Sequence, residues 1–355
     1  MKKKVLFFLQ SGVGGAERMT VTIAKSLSLA NFDIVYYLVE SINTSATIEE
    51  FIPHGSVIYR LKRGNVLFFL VNLFKTLKSE KPDIVFSSMM YLNTKLLALS
   101  CLFPKIKYIV RNDNYLYTLT RIQKLILKFT YKKADCIIAQ TQEMGEELVQ
   151  QAGIKSDFVK VLQNPIDTET IDKKSNEPSP FKENDSIKYV ASGRFFRVKG
   201  FDILVKAFRL VVDKQPNSEL YILGKKDENC LTYYEEINSL IQNLGLKNKV
   251  YCEGFQTNPY KYVKNADCFV LSSRNEGLPN VLIEALYLGT PAAATTCIPI
   301  ISRIIEDGVT GFLAENESPE SLAQAMLKAP LLGRIKTNYQ SASLAEFQKL
   351  FEDEK

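Results

Sequence analysis

The sequence predicts an α/β protein built from two domains. Stretches of strand type alternate with stretches of helical spacing through both halves of the chain. At 355 residues the chain is too long for one ordinary core and suits two domains of about 150 to 190 residues each. An apolar share of 46% and a charged share of 24% are those of a soluble globular protein.

The chain opens MKKKVLFFLQ, whose five apolar residues before Gln10 are too few for a secretory leader and read as a first strand. Ser11 to Arg18, SGVGGAER, is a glycine-rich turn into the helical run TVTIAKSLSLA, where Gly14 and Gly15 let backbone approach a ligand closely. It fits the dinucleotide fingerprint poorly, since the third spaced glycine is missing and Glu40 is only a nominal ribose ligand. Strand patterns follow at 33–39, 84–87, 107–110, 135–139 and 158–162, and the first domain closes at Asn164-Pro165, where proline turns the preceding residue away from helix. Thr168 to Ser186 is polar and twice broken by proline, a linker or first irregular segment of the second domain, 166–340. Strand patterns resume at 187–191, 218–223, 249–252, 268–272 and 291–294. In the last stretch, 341–355, Leu344, Phe347, Leu350 and Phe351 share one helical face.

The most informative segment is Asn275 to Ala285, NEGLPNVLIEA. It follows the apolar run CFVLSS and leads into helical spacing, so it reads as strand, tight loop, helix. Pro279 takes the first helical position, which leaves Leu278 as an N-cap with no side-chain acceptor and the N–H groups of Asn280, Val281 and Leu282 free for an anion. Glu276 and Gly277 lie in that loop, and Glu284 stands two turns along the helix, suited to a sugar's vicinal hydroxyls. The bland reading is a solvated cap with glutamates facing water. Ser192 to Phe201, SGRFFRVKGF, adds Arg194 and Lys199 in a second strand-to-helix loop, two cations that suit a diphosphate.

These segments, with NPID at 164–167, YILG at 221–224, VYCEGF at 250–255 and DGVTGFLA at 307–314, resemble the retaining nucleotide-sugar glycosyltransferases of family 4, in the family's order and over nearly the whole chain. The resemblance implies the GT-B fold, two Rossmann-like domains facing a cleft, with acceptor on the first and donor on the second. It implies a terminal helix returning to the first domain. It also implies Arg194 and Lys199 at the leaving diphosphate, Glu276 at the donor sugar and Glu284 at the ribose. Gly14, Gly15, Gly254, Phe255 and the Gly277–Val281 loop complete the donor side, and Arg18, Arg111 and Asn112 are acceptor-side candidates. No metal or other cofactor is expected, because the cations and the helix start neutralise the leaving group, and the chain has no Asp-x-Asp motif or histidine cluster. UDP-sugars are the family's most frequent donors, and a glycan or polyprenyl-diphosphate-linked acceptor of capsule or O-antigen synthesis is the usual bacterial context.

Two departures stand out. The family's histidine in the first domain is missing: the single histidine, His54, lies in a loop-like HGS stretch, and Arg111-Asn112-Asp113 occupies the strand end instead. Cys297 to Arg303, CIPIISR, replaces a glycine pair and a glutamate. A catalytically silent subunit supporting a partner transferase is therefore the alternative to an active enzyme. A 2-epimerase fits poorly with one histidine.

Net charge is +6, divided as +9 over residues 1–165 and −3 over the rest. Thr118 to Lys133 sets Leu119, Ile122, Leu125, Ile126 and Phe129 at helical spacing beside Arg121, Lys124, Lys128, Lys132 and Lys133, and Leu61 to Lys81 is again apolar with basic flanks. Such helices either bury their apolar face in the core or lie on anionic lipid at the inner face of the membrane. No basic run interleaves with aromatics, so nucleic acid is not an expected partner. No apolar run is long enough to span a bilayer. Cys101, Cys136, Cys230, Cys252, Cys268 and Cys297 have no close pairs and read as reduced core residues of a cytoplasmic protein.

Overall fold

The computed structural model describes residues 2–40, 47–62, 64–225, 231–340 and 342–353, so Arg63, Cys230 and Glu354 lie outside the described residues. The chain divides into two compact units, residues 1–165 with 341–355, and 166–340. In the first unit the elements run β1 (Lys3–Gln10), α1 (Gly15–Ser26), β2 (Phe32–Val39), β3 (Val57–Leu61), α2 (Val66–Glu80), β4 (Ile84–Ser87), α3 (Met90–Leu99), β5 (Lys107–Asn112), α4 (Arg121–Thr130), β6 (Cys136–Ala139), α5 (Gln142–Gln150) and β7 (Val159–Val161). The second unit holds α6 (Thr168–Ser175), β8 (Ile187–Ser192), α7 (Phe201–Lys214), β9 (Ser218–Leu223), α8 (Leu231–Asn243), β10 (Val250–Gly254), α9 (Tyr260–Asn265), β11 (Cys268–Leu271), α10 (Asn280–Tyr287), β12 (Ala292–Thr295), α11 (Ile301–Ile304), β13 (Gly311–Ala314) and α12 (Pro319–Lys328). The last helix, α13 (Leu344–Glu352), belongs to the first unit.

Each unit is a parallel sheet with helical crossovers. Strand order is β3-β2-β1-β4-β5-β6-β7 in the first and β10-β9-β8-β11-β12-β13 in the second. Strands covered on both faces become continuous apolar runs, which is why VLFFL of β1 is wholly buried. In the second sheet the chain winds outward from β8 through β9 to β10, and on the other side from β11 through β12 to β13. The order therefore reverses between β8 and β11, which pair directly through Tyr189 with Cys268 and Val190 with Phe269. Helices leaving these two strands diverge to opposite faces and open a crevice at the strands' C-terminal ends. The loops after β8 and β11 are the two that the sequence marks for chemistry.

The terminal helix is capped by Ser343 and Glu346 acting reciprocally. Its Phe347, Leu350 and Phe351 are buried in the core of the first unit, with Phe351 against the rings of Phe7, Phe32 and Phe86. Burying each such side chain contributes roughly 1.5–3 kcal/mol. Lys3 Nζ donates to the carbonyl of Glu352 at 2.9 Å, and Lys107 Nζ to those of Leu350 at 2.8 Å and Asp353 at 3.0 Å, satisfying the helix's last acceptors.

Four local expectations are corrected. Thr168–Ser175 is a helix rather than irregular chain: Asp167 Oδ1 accepts from Thr170 N–H at its start, and only Ile171 and Ser175 are buried, so it carries no apolar periodicity to read. Strands β3 and β13 have no counterpart among the strands read from the sequence, β3 being a largely exposed edge strand and β13 only four residues long. Pro279 is the N-cap of α10, not its first residue, because its ψ of 80° is not helical. Cys101 is exposed on the turn after α3, whereas Cys136 and Cys268 are buried. The polar turn at Pro53–Gly55 leaves His54 exposed.

Candidate functional site

The site in the second unit is built on the β8 and β11 loops. Beyond β8 the chain turns through Gly193 and Arg194 into one turn of tight helix, Arg197–Lys199, and Gly200 then starts α7. Gly200 has φ of 64°, and a Cβ there would fall 2.0 Å from the carbonyl oxygen of Ser272. Only glycine allows both the left-handed turn and the approach of the two loops. Ser272 Oγ donates to the Lys199 carbonyl at 2.9 Å, and Arg274 N–H to the Val198 carbonyl at 2.7 Å. The loops are thus laced by one side-chain and one backbone hydrogen bond.

The lacing fixes Lys199 against Glu276. Lys199 Nζ donates to Glu276 Oε1 at 2.7 Å, and Ser273 Oγ donates to the same oxygen at 2.6 Å. Both side chains are mostly buried, at 24% and 10% exposure. The stem of Lys199 lies along Gly193, where any Cβ would crowd it at 3.3 Å. Thr295 Oγ1, from the neighbouring strand, donates to the Ser273 carbonyl at 2.6 Å and holds the end of β11 in place. Cys297 completes the surroundings: burial pushes its thiol up to about 12, with the Glu276 carboxylate adding to the rise and Lys199 opposing it.

A second clamp ties the same loops from outside. Arg274 makes a fork to Asp202 at the start of α7, Nη1 to Oδ1 and Nη2 to Oδ2 at 2.8 Å each, while its Nε donates to Glu317 at 3.0 Å. Arg274 Nη1 also donates to the carbonyl of Arg197. Burial acts to raise the Asp202 pKa, but hydrogen bonds from Arg274 and Tyr233 outweigh it and bring the carboxyl down to about 2. Neither Arg274 nor Ser272, Ser273 and Asp202 was singled out by the sequence reading. The signal was present, because a small polar pair and an arginine follow the end of β11 just before Asn275 and Glu276.

Arg194 is exposed on the β8 loop with its guanidinium 5.0 Å from the centroid of Phe196. Gly277 and Leu278 continue the β11 loop. At the start of α10, Asn280 N–H donates to the Leu278 carbonyl and Leu282 N–H to that of Pro279, so two of the three donors read as free are engaged. Val281 N–H makes no backbone hydrogen bond among the described residues. Glu284 is half-buried on α10, and Tyr260 OH donates to its Oε1 at 3.4 Å. Gly254 ends β10 with φ of 71°, and Phe255 after it is exposed.

Gly14, Gly15, Arg18, Arg111 and Asn112 belong to the first unit. Gly14 caps α1, where a Cβ would meet the Glu17 carboxylate at 2.4 Å, while Gly15 faces open space. Arg18 is half-buried with its guanidinium over the ring of Phe51. Arg111 and Asn112 lie inside the unit. Arg111 Nε and Nη2 both donate to Asn164 Oδ1, and burial lowers its pKa to about 10 against the pull of Asp113 and Glu17. Asn112 Nδ2 donates to the Asn114 carbonyl at 2.6 Å, and its own carbonyl accepts from Gln140. Neither side chain faces solvent, at 2% and 1% exposure.

Comparison with known proteins decides the family. Residues 172–339 match the model for glycosyl transferases group 1, and residues 13–170 match the model for Glycosyltransferase Family 4. The N-acetylgalactosamine-N,N'-diacetylbacillosaminyl-diphospho-undecaprenol 4-alpha-N-acetylgalactosaminyltransferase of Campylobacter jejuni is 30% identical over 346 residues, 92% of this chain and 89% of that protein. The chain belongs to glycosyltransferase family 4. An uncharacterized glycosyltransferase of Methanocaldococcus jannaschii is 32% identical over 244 residues, and the match spans 63% of this chain and 58% of that one. The crystal structure of Anabaena HepE in complex with UDP and glucose superposes with a TM-score of 0.82 at 19% identity, covering 99% of this chain and 98% of that one. The two parallel sheets are those of a GT-B glycosyltransferase. Within this family 4 chain, the strands either side of the sheet reversal carry the Lys199–Glu276 pair, and α10 carries Glu284 beside it in sequence.

Proposed function

We propose that this glycosyltransferase is a retaining, metal-independent enzyme that moves a sugar from a UDP-sugar to a lipid-diphosphate-linked glycan during synthesis of a cell-surface polysaccharide. The observation that supports it most is the Lys199–Glu276 pair, held by Ser273, Gly200 and Arg274 on two loops that cannot drift apart. Cleaving the bond between sugar and diphosphate places growing negative charge on the leaving phosphate. Lys199, with Arg194 on the same loop, supplies fixed positive charge there, and Glu276 accepts from the hydroxyls of the departing sugar. Glu284 accepts from the ribose hydroxyls. With no histidine at the β5 end, the leaving phosphate itself takes the acceptor's proton on the face from which it departs, which returns the configuration unchanged.

The donor assignment is supported by the UDP named in the HepE complex, and the acceptor by the diphospho-undecaprenol in the name of the Campylobacter relative. Such an acceptor resides in a membrane, so the enzyme works in the cytoplasm at the inner membrane face. The test is a panel of nucleotide sugars given to the full chain with a synthetic polyprenyl-diphosphate glycan, in excess EDTA. Transfer with retained anomeric configuration is the expected result. Loss of transfer in EDTA with recovery on added Mg²⁺ or Mn²⁺ would show that a metal carries the phosphate charge. Absence of both transfer and donor hydrolysis under all conditions would favour a silent subunit.

A further inference from the structure

We infer that α2 and α4 form a docking face for the surface of an anionic lipid bilayer. A basic amphipathic helix normally turns its apolar stripe into the core. In α4 the stripe faces outward: Ile122, Leu125, Ile126 and Phe129, at i, i+3, i+4 and i+7, are exposed by 72%, 56%, 46% and 65%, and Leu127 is the helix's one buried residue. The helix does not need the stripe for its own start, because Thr120 and Gln123 form a reciprocal cap. On α2 a second stripe, Leu67, Val71 and Phe74, is also exposed and runs on to Lys78, with Lys75 beside it. Helix α3 packs between α2 and α4, and all three are crossovers that advance in the same direction across the sheet, so both stripes belong to one helical layer.

The charges select the occupant. Arg121, Lys124 and Lys128 flank the α4 stripe along one edge, and Lys132 and Lys133 follow directly; the chain from Asn114 to Ala134 contains no acidic residue. A second copy of this face would bring those cations against each other, whereas an anionic bilayer accepts the apolar stripe at its acyl boundary and the cations at its headgroups. Contiguous exposed apolar surface of this kind marks an interaction site. Among the described residues no helix is long and apolar enough to cross a membrane, so the contact is with the surface. The inference stands on this exposure and charge and does not need the donor chemistry.

The test is sedimentation of the full chain with vesicles of phosphatidylcholine alone and vesicles containing phosphatidylglycerol. Binding to the anionic vesicles should exceed binding to the neutral ones by about tenfold or more and should weaken with added salt. Ile122→Ser with Phe129→Ser, and separately Lys124→Glu with Lys128→Glu, should each cut that binding by about tenfold with unchanged thermal melting and unchanged UDP affinity, since all four side chains lie outside the core. Equal sedimentation of wild type and both variants would overturn the proposal. So would a concentration-dependent dimer in light scattering that Phe129→Ser disrupts, which would assign the face to a second copy.

Discussion

Lys199 Nζ and Glu276 Oε1 lie 2.7 Å apart, so the cation expected at the leaving phosphate and the carboxylate expected at the sugar are joined in one ion pair. A diphosphate beside Lys199 must share its charge with Glu276. On the proposed roles, that sharing weakens the hold on the free nucleotide and leaves charge stabilisation to grow as the bond to the sugar breaks, the pattern that favours turnover over ground-state binding.

Glu276→Gln should therefore divide binding from turnover. Removing the carboxylate's charge frees Lys199 for phosphate, so UDP affinity measured by calorimetry should stay level or rise by a few-fold, while kcat falls by about 10²-fold or more as the sugar contact is lost. Weaker UDP binding together with unchanged kcat would remove Glu276 from the sugar side.

Gly200→Ala should destabilise the second unit and lower activity together. The new methyl would collide with the Ser272 carbonyl, and the left-handed φ costs any L-residue, so a loss of about 1–3 kcal/mol or more is expected in denaturant unfolding. A variant as stable and active as wild type would show that the two loops are not held at this contact.

Asp202 provides a pH test of the outer clamp. Its pKa of about 2 lies below the ordinary carboxylate value, so its ionised form stabilises the fold above about pH 4, and that contribution is lost as pH falls towards about 2. Thermal melting of wild type should exceed that of Asp202→Asn near neutrality, and the gap should close through this acid range. A gap that stays constant with pH would mean that the Arg274 fork contributes no charge-dependent stability.

Glu284→Ala should weaken nucleotide binding by about tenfold with little change in melting, since the side chain is half-buried on α10 and lies outside the apolar core of the unit. Equal affinity in the two proteins, by calorimetry, would place the ribose elsewhere.

Much of this was readable in the chain because α/β units write themselves in alternating patterns. The buried runs of β1, β8, β9 and β11 and the apolar face of α13 each stand out by period alone. Strand β3 and helix α6 did not, because an edge strand open to water and a helix with two buried residues carry no apolar period. At the candidate site, the loops that hold Lys199 and Glu276 and the helix that holds Glu284 were legible from residue type and position. The pairing of Lys199 with Glu276, 77 residues apart in sequence, was not, since it depends on β8 and β11 being neighbours, with Gly200 and Ser272 in contact. The burial of Arg111 and Asn112 was equally hidden. Arg111 is held by Asn164 and the Asn112 side chain by the Asn114 carbonyl, partners that no local pattern announces.

The proposed mechanism requires Lys199 and Arg194 to stabilise charge on the departing phosphate. Steady-state kinetics of Lys199→Ala, Arg194→Ala and Lys199→Arg with the best donor test this. Each alanine variant should lower kcat by about 10²- to 10³-fold while changing the donor KM far less, and Lys199→Arg should restore activity only in part, because a planar fork does not replace a point charge beside Glu276. Near-normal kcat in both alanine variants would contradict it.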